Sequence, residues 1–229
     1  MSTAMIQCKA VVFDMAGTTV DEGNVVYKTL QQAISDDGTT VSLDEVLALG
    51  GGKEKFQAVR DILASKGVVD ESRAKKVFEN FRKQLESAYK ESPVKALGGV
   101  VETFRLLRER GVKVVLNTGY DGKTAKGLME KLNWRIPEDV DLLVTADDVK
   151  NSRPAPDMIL RIARVLGIKE KEIAKVGDSI VDIEEGQNAG CTWSIGVTTG
   201  AHTREQLESA EPDYIIDDMN ELPKIVLNA

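Results

Sequence analysis

The stretch Val11-Val12-Phe13-Asp14-Met15-Ala16-Gly17-Thr18-Thr19 decides the fold of this chain. Its apolar start is too short for a helix and reads as a buried strand, and it ends abruptly on a carboxylate followed by small and hydroxyl residues. In open α/β sheets ligands bind beyond the carboxyl ends of the strands, so this reading delivers Asp14 to the place where chemistry happens. A carboxylate there can attack phosphorus to form an aspartyl-phosphate, bind a hard cation, or do both. A lone Asp after a strand more commonly serves only as a turn or cap residue. The rest of the chain must therefore supply a phosphate cradle and further metal ligands.

Working outward, residues 25–34 have helical periodicity, and Ser42 with Glu45 forms a capping box for the next helix. Gly50-Gly51-Gly52 interrupts the pattern. Residues 53–63 resume it, with Phe56, Val59, Ile62 and Leu63 on one apolar face. A further helix is predicted over 71–89, with Val77, Phe78, Phe81 and Leu85 inward. No strand is predicted between residues 24 and 93. From residue 96 helices and strands alternate: helices over 100–110, 124–132, 157–166 and 180–189, and strands over 112–118, 141–145, 173–176, 192–197 and 214–216. Gly111 and Gly167 stop two of the helices, and Thr203 with Gln206 offers a second capping box. Such alternation implies an α/β fold, a Rossmann-like parallel sheet covered on both faces. The expected division is a core of residues 1–20 and 96–229 with an inserted helical cap over 21–95.

The 229 residues suffice for one domain with an insertion, and the net charge of −7 gives no general attraction for nucleic acid or an anionic membrane. Cys8 and Cys191 lack metal-ligand spacing. Residues 1–5 carry no basic start or long apolar run, so no signal peptide or membrane span is expected. The expectation is a cytoplasmic monomer or homodimer that acts on a small molecule, without nucleic-acid or membrane partners.

Three further segments place reactive residues at strand ends. Leu116-Asn117-Thr118-Gly119 ends a strand on a hydroxyl and a glycine, which suits phosphate oxygens, although an ordinary strand-end turn looks the same. Ser152-Arg153-Pro154-Ala155-Pro156 holds an arginine between prolines. Its planar fork can clamp two phosphate oxygens, or it can simply be a solvated surface residue. Val176-Gly177-Asp178-Ser179-Ile180-Val181-Asp182 ends a strand on Gly-Asp with a second carboxylate four residues on. With a helix starting near Ser179, both acids lie on one side of its first turn. Together with Asp14 they suit Mg²⁺; singly, they would favour the helix N-terminus electrostatically.

In this order the segments resemble the haloacid dehalogenase superfamily of Mg²⁺-dependent phosphotransferases, and the resemblance covers nearly the whole chain. It implies that Asp14 attacks phosphorus and that Asp14, the Ala16 carbonyl and Asp178 hold Mg²⁺. It further implies that Thr118 and Gly119 bind the phosphoryl group, that Arg153 takes the site of the usual lysine, and that Asp182 stands beside the metal.

One departure narrows the reading. The common motif places a second Asp two residues after the nucleophile, as the acid that protonates a leaving alkoxide; this chain has Ala16. General acid help is typically worth about 10²–10⁴-fold, so its loss points to a leaving group that needs none. Asp14 to Asp21, with arginine in the basic loop, resembles the phosphonatase (phosphonoacetaldehyde hydrolase) family. There a cap lysine forms a Schiff base and the C–P bond breaks toward an iminium. By that resemblance Leu49-Gly50-Gly51-Gly52-Lys53 is the cap loop, Lys53 opens a helix and is the amine, and Tyr120 lies near substrate. Phe56 stands where the family has histidine and Leu49 where it has methionine. The sole histidine, His202, is read as structural or solvated. Two alternatives remain: a phosphomonoesterase with another proton source, and a phospho-ligand binder with a degraded site.

Overall fold

The computed structural model describes residues 8–227, so residues 1–5, read above as free of targeting character, lie outside the described residues. The chain starts with β1 (Ala10–Phe13) and the two-residue β2 (Val20–Asp21). Four helices follow: α1 (Val25–Asp36), α2 (Leu43–Gly50), α3 (Lys55–Ser65) and α4 (Glu71–Glu91). The two-residue β3 (Lys95–Ala96) then pairs antiparallel with β2, Val20 opposite Ala96 and Asp21 opposite Lys95. This short ribbon, absent from the sequence reading because two residues carry no periodicity, ties together the two ends of the helical insertion.

After it the chain alternates through α5 (Val100–Glu109), β4 (Lys113–Thr118), α6 (Gly122–Lys131), β5 (Leu142–Thr145), α7 (Asp157–Leu166) and β6 (Ile173–Gly177). It closes with α8 (Ile180–Ala189), β7 (Trp193–Val197), α9 (Arg204–Glu208), β8 (Tyr214–Ile216) and α10 (Leu222–Val226). The six long-sheet strands run in the order β5-β4-β1-β6-β7-β8 and every pairing is parallel. β1 is thus central, with β4 on one side and β6 on the other. The chain reverses its direction of winding there, and the crevice it leaves at the carboxyl ends of these strands is where ligands bind in such sheets.

The strand period of two sorts β1 between two cores. Val11 and Phe13 pack into one apolar cluster, where Phe13 meets Phe104 at 5.0 Å between ring centroids. Ala10 and Val12 pack into the other with Val115, Met158 and Ile162. In the insertion, α4 buries Ala74, Val77, Phe81 and Leu85, while Phe78 is only half-buried and stacks toward Phe56 and Phe81.

The capping box at Ser42 and Glu45 forms as expected, as does the one at Thr203 and Gln206. The start of the next cap helix differs. It begins at Lys55, and Lys53 lies in the turn before it. Gly52 takes φ +68° and interrupts the helix, and the Glu54 carboxylate caps it by accepting from the Phe56 and Gln57 N–H groups. Cys8 and Cys191 are both free. Among the described residues no helix is long and apolar enough to cross a membrane.

Candidate active site

β1 delivers Asp14 into the crevice. Its N–H donates to the Val176 carbonyl at 2.9 Å, prolonging the β1–β6 ladder by one residue, and its side chain is almost wholly buried. The loop that follows is tight: Thr19 and Val20 N–H both donate to the Met15 carbonyl. The Thr19 hydroxyl donates to the Asp14 carbonyl at 2.9 Å. Ala16, buried in this loop, has no proton to offer beside Asp14.

Around Asp14 the predicted residues converge. Arg153 is fully buried, with Nη1 2.7 Å from Asp14 and 2.8 Å from Asp182, and Nε 3.3 Å from Glu185. Its Nη2 donates to the Asn117 carbonyl at 2.6 Å and to Asn117 Oδ1 at 2.9 Å. Thr118, at the end of β4, is buried, and its hydroxyl accepts from the Tyr120 N–H at 3.2 Å. Asp178 receives the Thr18 hydroxyl at 3.1 Å and the Ala201 N–H at 2.6 Å. Room for this carboxylate depends on Gly17 and Gly200, where any Cβ would collide with it.

Asp14, Asp178 and Asp182 can each offer an oxygen within 4.8 Å of the others, all three buried. Burial first, and then the charges of Asp14 and Asp182, push Asp178 up to about 8. Burial likewise raises Asp14, against the opposing pull of Arg153. For Asp182 burial is outweighed by Arg153 and Lys175, which hold its carboxyl below the ordinary range. With Glu185, four buried carboxylates face three buried cations, Arg153, Lys175 and Lys55. The charge left unmatched is what a divalent cation would neutralise, and an all-oxygen donor set fits a hard ion. The residues therefore fit a metal held by Asp14 and Asp178, while Asp182 is already engaged by two cations.

Several members of the site were not foreseen. Lys175 is fully buried and reaches Asp182 at 2.6 Å and Glu185 at 3.6 Å. A lysine within the otherwise apolar strand Ile173-Ala174-Lys175-Val176 was the signal for it. Glu185 accepts from Asn117 Nδ2 at 2.9 Å and is raised by burial. Tyr27 is buried in α1, and its hydroxyl accepts from the Gly52 N–H at 3.1 Å.

The cap loop reaches the core through its glycines. A Cβ on Gly119 would stand 2.7 Å from the Lys53 carbonyl and 3.0 Å from that of Gly52, so the loop rests directly on the end of β4. Arg153 Nη1 also donates to the Gly52 carbonyl, at 3.3 Å. A Cβ on Gly52 would strike Ser179 and come within 2.7 Å of Val181 at the start of α8. Gly52→Ala, which also forces an L side chain to positive φ, is expected to lower kcat/KM at least about ten-fold while leaving far-UV circular dichroism unchanged. Equal kinetics for the variant would mean that this contact is dispensable.

The two loop lysines diverge. Lys53 Nζ pairs with Asp61 on α3 at 2.5 Å, both side chains partly exposed, and the structure does not bring it to Asp14. Lys55 is buried instead. Its Nζ donates to the Lys53 carbonyl at 2.6 Å and lies 5.4 Å from the ring centroids of both Tyr27 and Tyr120. It has no carboxylate partner among the described residues. Burial lowers it to about 8, and among its charged neighbours Asp14 acts on it most strongly, resisting that fall. Lys55 heads the buried row Lys55, Ala58, Val59, Ile62 and Leu63 of α3, a spacing legible in the sequence. A lysine at the head of an apolar row was the available signal.

Tyr120 is buried near Lys55, its hydroxyl 3.0 Å from that of Tyr89, which donates to Glu22 at 3.3 Å. His202 is structural, not solvated: it is buried, and Nδ1 accepts from the Ile180 N–H at 2.9 Å.

Comparisons with known proteins show the family. Residues 8–190 match the model of the haloacid dehalogenase-like hydrolase family. A phosphonoacetaldehyde hydrolase from Parabacteroides distasonis is 30% identical, the alignment covering 97% of each chain. One from Bacillus cereus is 32% identical over 90% of this chain and 83% of its own. Among solved structures, a phosphonoacetaldehyde hydrolase-like protein from Oleispira antarctica superposes with a TM-score of 0.82 at 26% identity, covering 100% of this chain and 96% of that one. With its Rossmann-like parallel sheet and a buried carboxylate at the end of the central strand, the chain belongs to the haloacid dehalogenase-like hydrolases.

Proposed function

We propose that the protein is a Mg²⁺-dependent C–P hydrolase acting on phosphonoacetaldehyde or a related 2-oxoalkylphosphonate, with residues 21–95 as its cap. The observation that carries this reading is a complementary pair. Ala16 leaves the nucleophile without an acid at the family's position, and Lys55 presents a buried amine with no carboxylate partner among the described residues. The resemblance implied Lys53 for this role; its ion pair with Asp61 makes Lys55 the better placed amine. Three residues beyond Lys55 is Ala58, so a histidine in that position is absent whichever lysine is taken.

The Lys55 amine adds to the substrate carbonyl, and loss of water leaves an iminium. An Asp14 carboxylate oxygen attacks phosphorus, the C–P bond breaks, and its electron pair moves into the iminium to give a neutral enamine. No proton need reach a leaving oxygen, so Ala16 carries no penalty. The enamine takes a proton on carbon from water, and hydrolysis of the resulting iminium returns the amine and the carbonyl product. Water then cleaves the aspartyl-phosphate. Arg153, 2.7 Å from Asp14, and the Thr118 hydroxyl offset charge on the phosphoryl oxygens, where most catalysis of phosphoryl transfer lies. Asp14, Asp178 and the Ala16 carbonyl would hold Mg²⁺, which when bound would neutralise more of that charge.

Borohydride reduction in the presence of phosphonoacetaldehyde is expected to attach the substrate carbon to Lys55, located by fragment mass spectrometry, and Lys55→Arg is expected to abolish both adduct and turnover. An absence of adduct and of released phosphate would sink the reading. A second reading, hydrolysis of a small phosphate ester, draws on the Asp14, Thr118, Arg153 and Asp178 set, which serves either bond. It predicts phosphate release from esters that survives Lys55→Ala and is lost with Asp14→Asn.

Metal removal offers an independent check. Saturating Mg²⁺ is expected to raise the melting temperature by several degrees, since a ligand at 100 times its Kd contributes about 2.7 kcal/mol, and EDTA to stop turnover reversibly. Asp178→Asn is expected to remove most of the thermal shift. A shift of full size in that variant would place the ion elsewhere.

A further inference from the structure

A cleft of about 870 Å³ runs between α4 of the cap and α6 of the core, and it is far larger than a two-carbon aldehyde requires. That volume lies in the range of pockets that enclose drug-sized ligands. Phe78, Phe81, Leu85 and Leu128 form its apolar walls, and Lys55, Gly119 and Tyr120 stand at its inner end. The cleft therefore reaches the residue that carries the site amine. Its rim mixes Lys83, Lys90 and Lys123 with Glu79, Glu86 and Asp147, so net charge selects nothing there. Recognition within it falls to the apolar walls.

The chemistry of the carbonyl carbon says what occupies this space. In the imine that carbon carries three groups: the Lys55 nitrogen, the methylene leading to phosphorus, and one remaining substituent. The phosphorus must lie at Asp14, which does not line the cleft, while Lys55 does. The third substituent is then directed into the cleft. In an aldehyde that substituent is hydrogen, and the apolar walls would go unused.

Building on the C–P reading above, we propose that the substrate is a ketone, a 2-oxoalkylphosphonate whose carbonyl bears an apolar alkyl or aryl group, and that the α4–α6 cleft binds that group. The products are phosphate and the corresponding methyl ketone. Water supplies the proton that the methyl carbon takes up.

Gly127 provides a clean probe. It lies on α6, lines the cleft, and a Cβ built on it meets nothing within 4 Å, so a side chain there starts into open space. Phosphate release is measured for phosphonoacetaldehyde and for 2-oxopropyl-, 2-oxobutyl-, 2-oxohexyl- and 2-oxo-2-phenylethylphosphonate. With the native protein KM is expected to fall about three- to four-fold for each methylene added, until the chain fills the cleft. Gly127→Phe and Phe78→Gln are expected to flatten that slope and to leave the kinetics with phosphonoacetaldehyde unchanged. A KM indifferent to chain length, or a Gly127→Phe loss equal for the aldehyde and the long ketones, overturns the cleft assignment while the C–P reading stands. Absence of turnover and of imine trapping with every compound overturns both.

Discussion

Asp14→Asn is expected to lower phosphate release at least about 10⁴-fold, the scale of loss seen when a covalent nucleophile is removed. The amide is nearly isosteric with the carboxylate and can keep a contact to Arg153, so the loss would be one of chemistry rather than of folding. Stability should move in the opposite direction. Burial raises the Asp14 carboxyl above its ordinary range even with Arg153 beside it. A folded-state value raised above the unfolded one means that the native protein resists ionisation of this group, so ionised Asp14 costs stability at neutral pH. The neutral variant is therefore expected to melt at or above the temperature of the native protein in EDTA, and to lose that advantage when Mg²⁺ is added. Residual activity within about ten-fold of the native value would exclude Asp14 as the phosphoryl acceptor. A lower melting temperature in EDTA would show that its pairing with Arg153 outweighs the burial cost.

Arg153→Ala carries the largest expected effect on stability. The guanidinium touches Asp14, Asp182 and Glu185 and both oxygens of Asn117, with its side chain wholly buried. Deleting it leaves Lys175 as the one cation in direct contact with these carboxylates among the described residues. Removing one partner of a buried ion pair costs about 3–5 kcal/mol, because the remaining charge stays unpaired. For a chain of this size that corresponds to a fall in melting temperature of roughly 10 °C, and turnover should be lost as well. Arg153→Lys separates the two consequences. It restores the charge and much of the stability, yet cannot reproduce the planar fork that reaches Asp14 and Asn117 together. Its expected signature is a near-native melting temperature with kcat reduced more than ten-fold. Full activity in Arg153→Lys would reduce the residue to a counter-charge.

The core was legible because its signals are local and periodic. Val11-Val12-Phe13, Val112 to Thr118 and Ile173 to Val176 are apolar runs that each end on polar or small residues, and all three lie side by side at the centre of the sheet. The carboxyl-end rule then placed Asp14, Thr118 and Asp178 on one edge without any knowledge of strand order. Ala16 was legible too, as a residue unable to give up a proton, because its meaning comes from what it lacks.

Contacts across the interior were a different matter. Lys175 and Glu185 pair because β6 and α8 are adjacent layers, and nothing in the spacing of residues 175, 182 and 185 says which way a strand lysine faces. The choice between Lys53 and Lys55 turns on two residues of helix phase, set by where Glu54 caps α3 and where Gly52 turns the chain. Sequence by itself determined the sheet, the place of Asp14 at a strand end and the hydrolase family, since these follow from patterns within single segments. Only the tertiary structure decided which loop lysine is buried and what space adjoins it, because burial of a charge is a property of the elements packed around it.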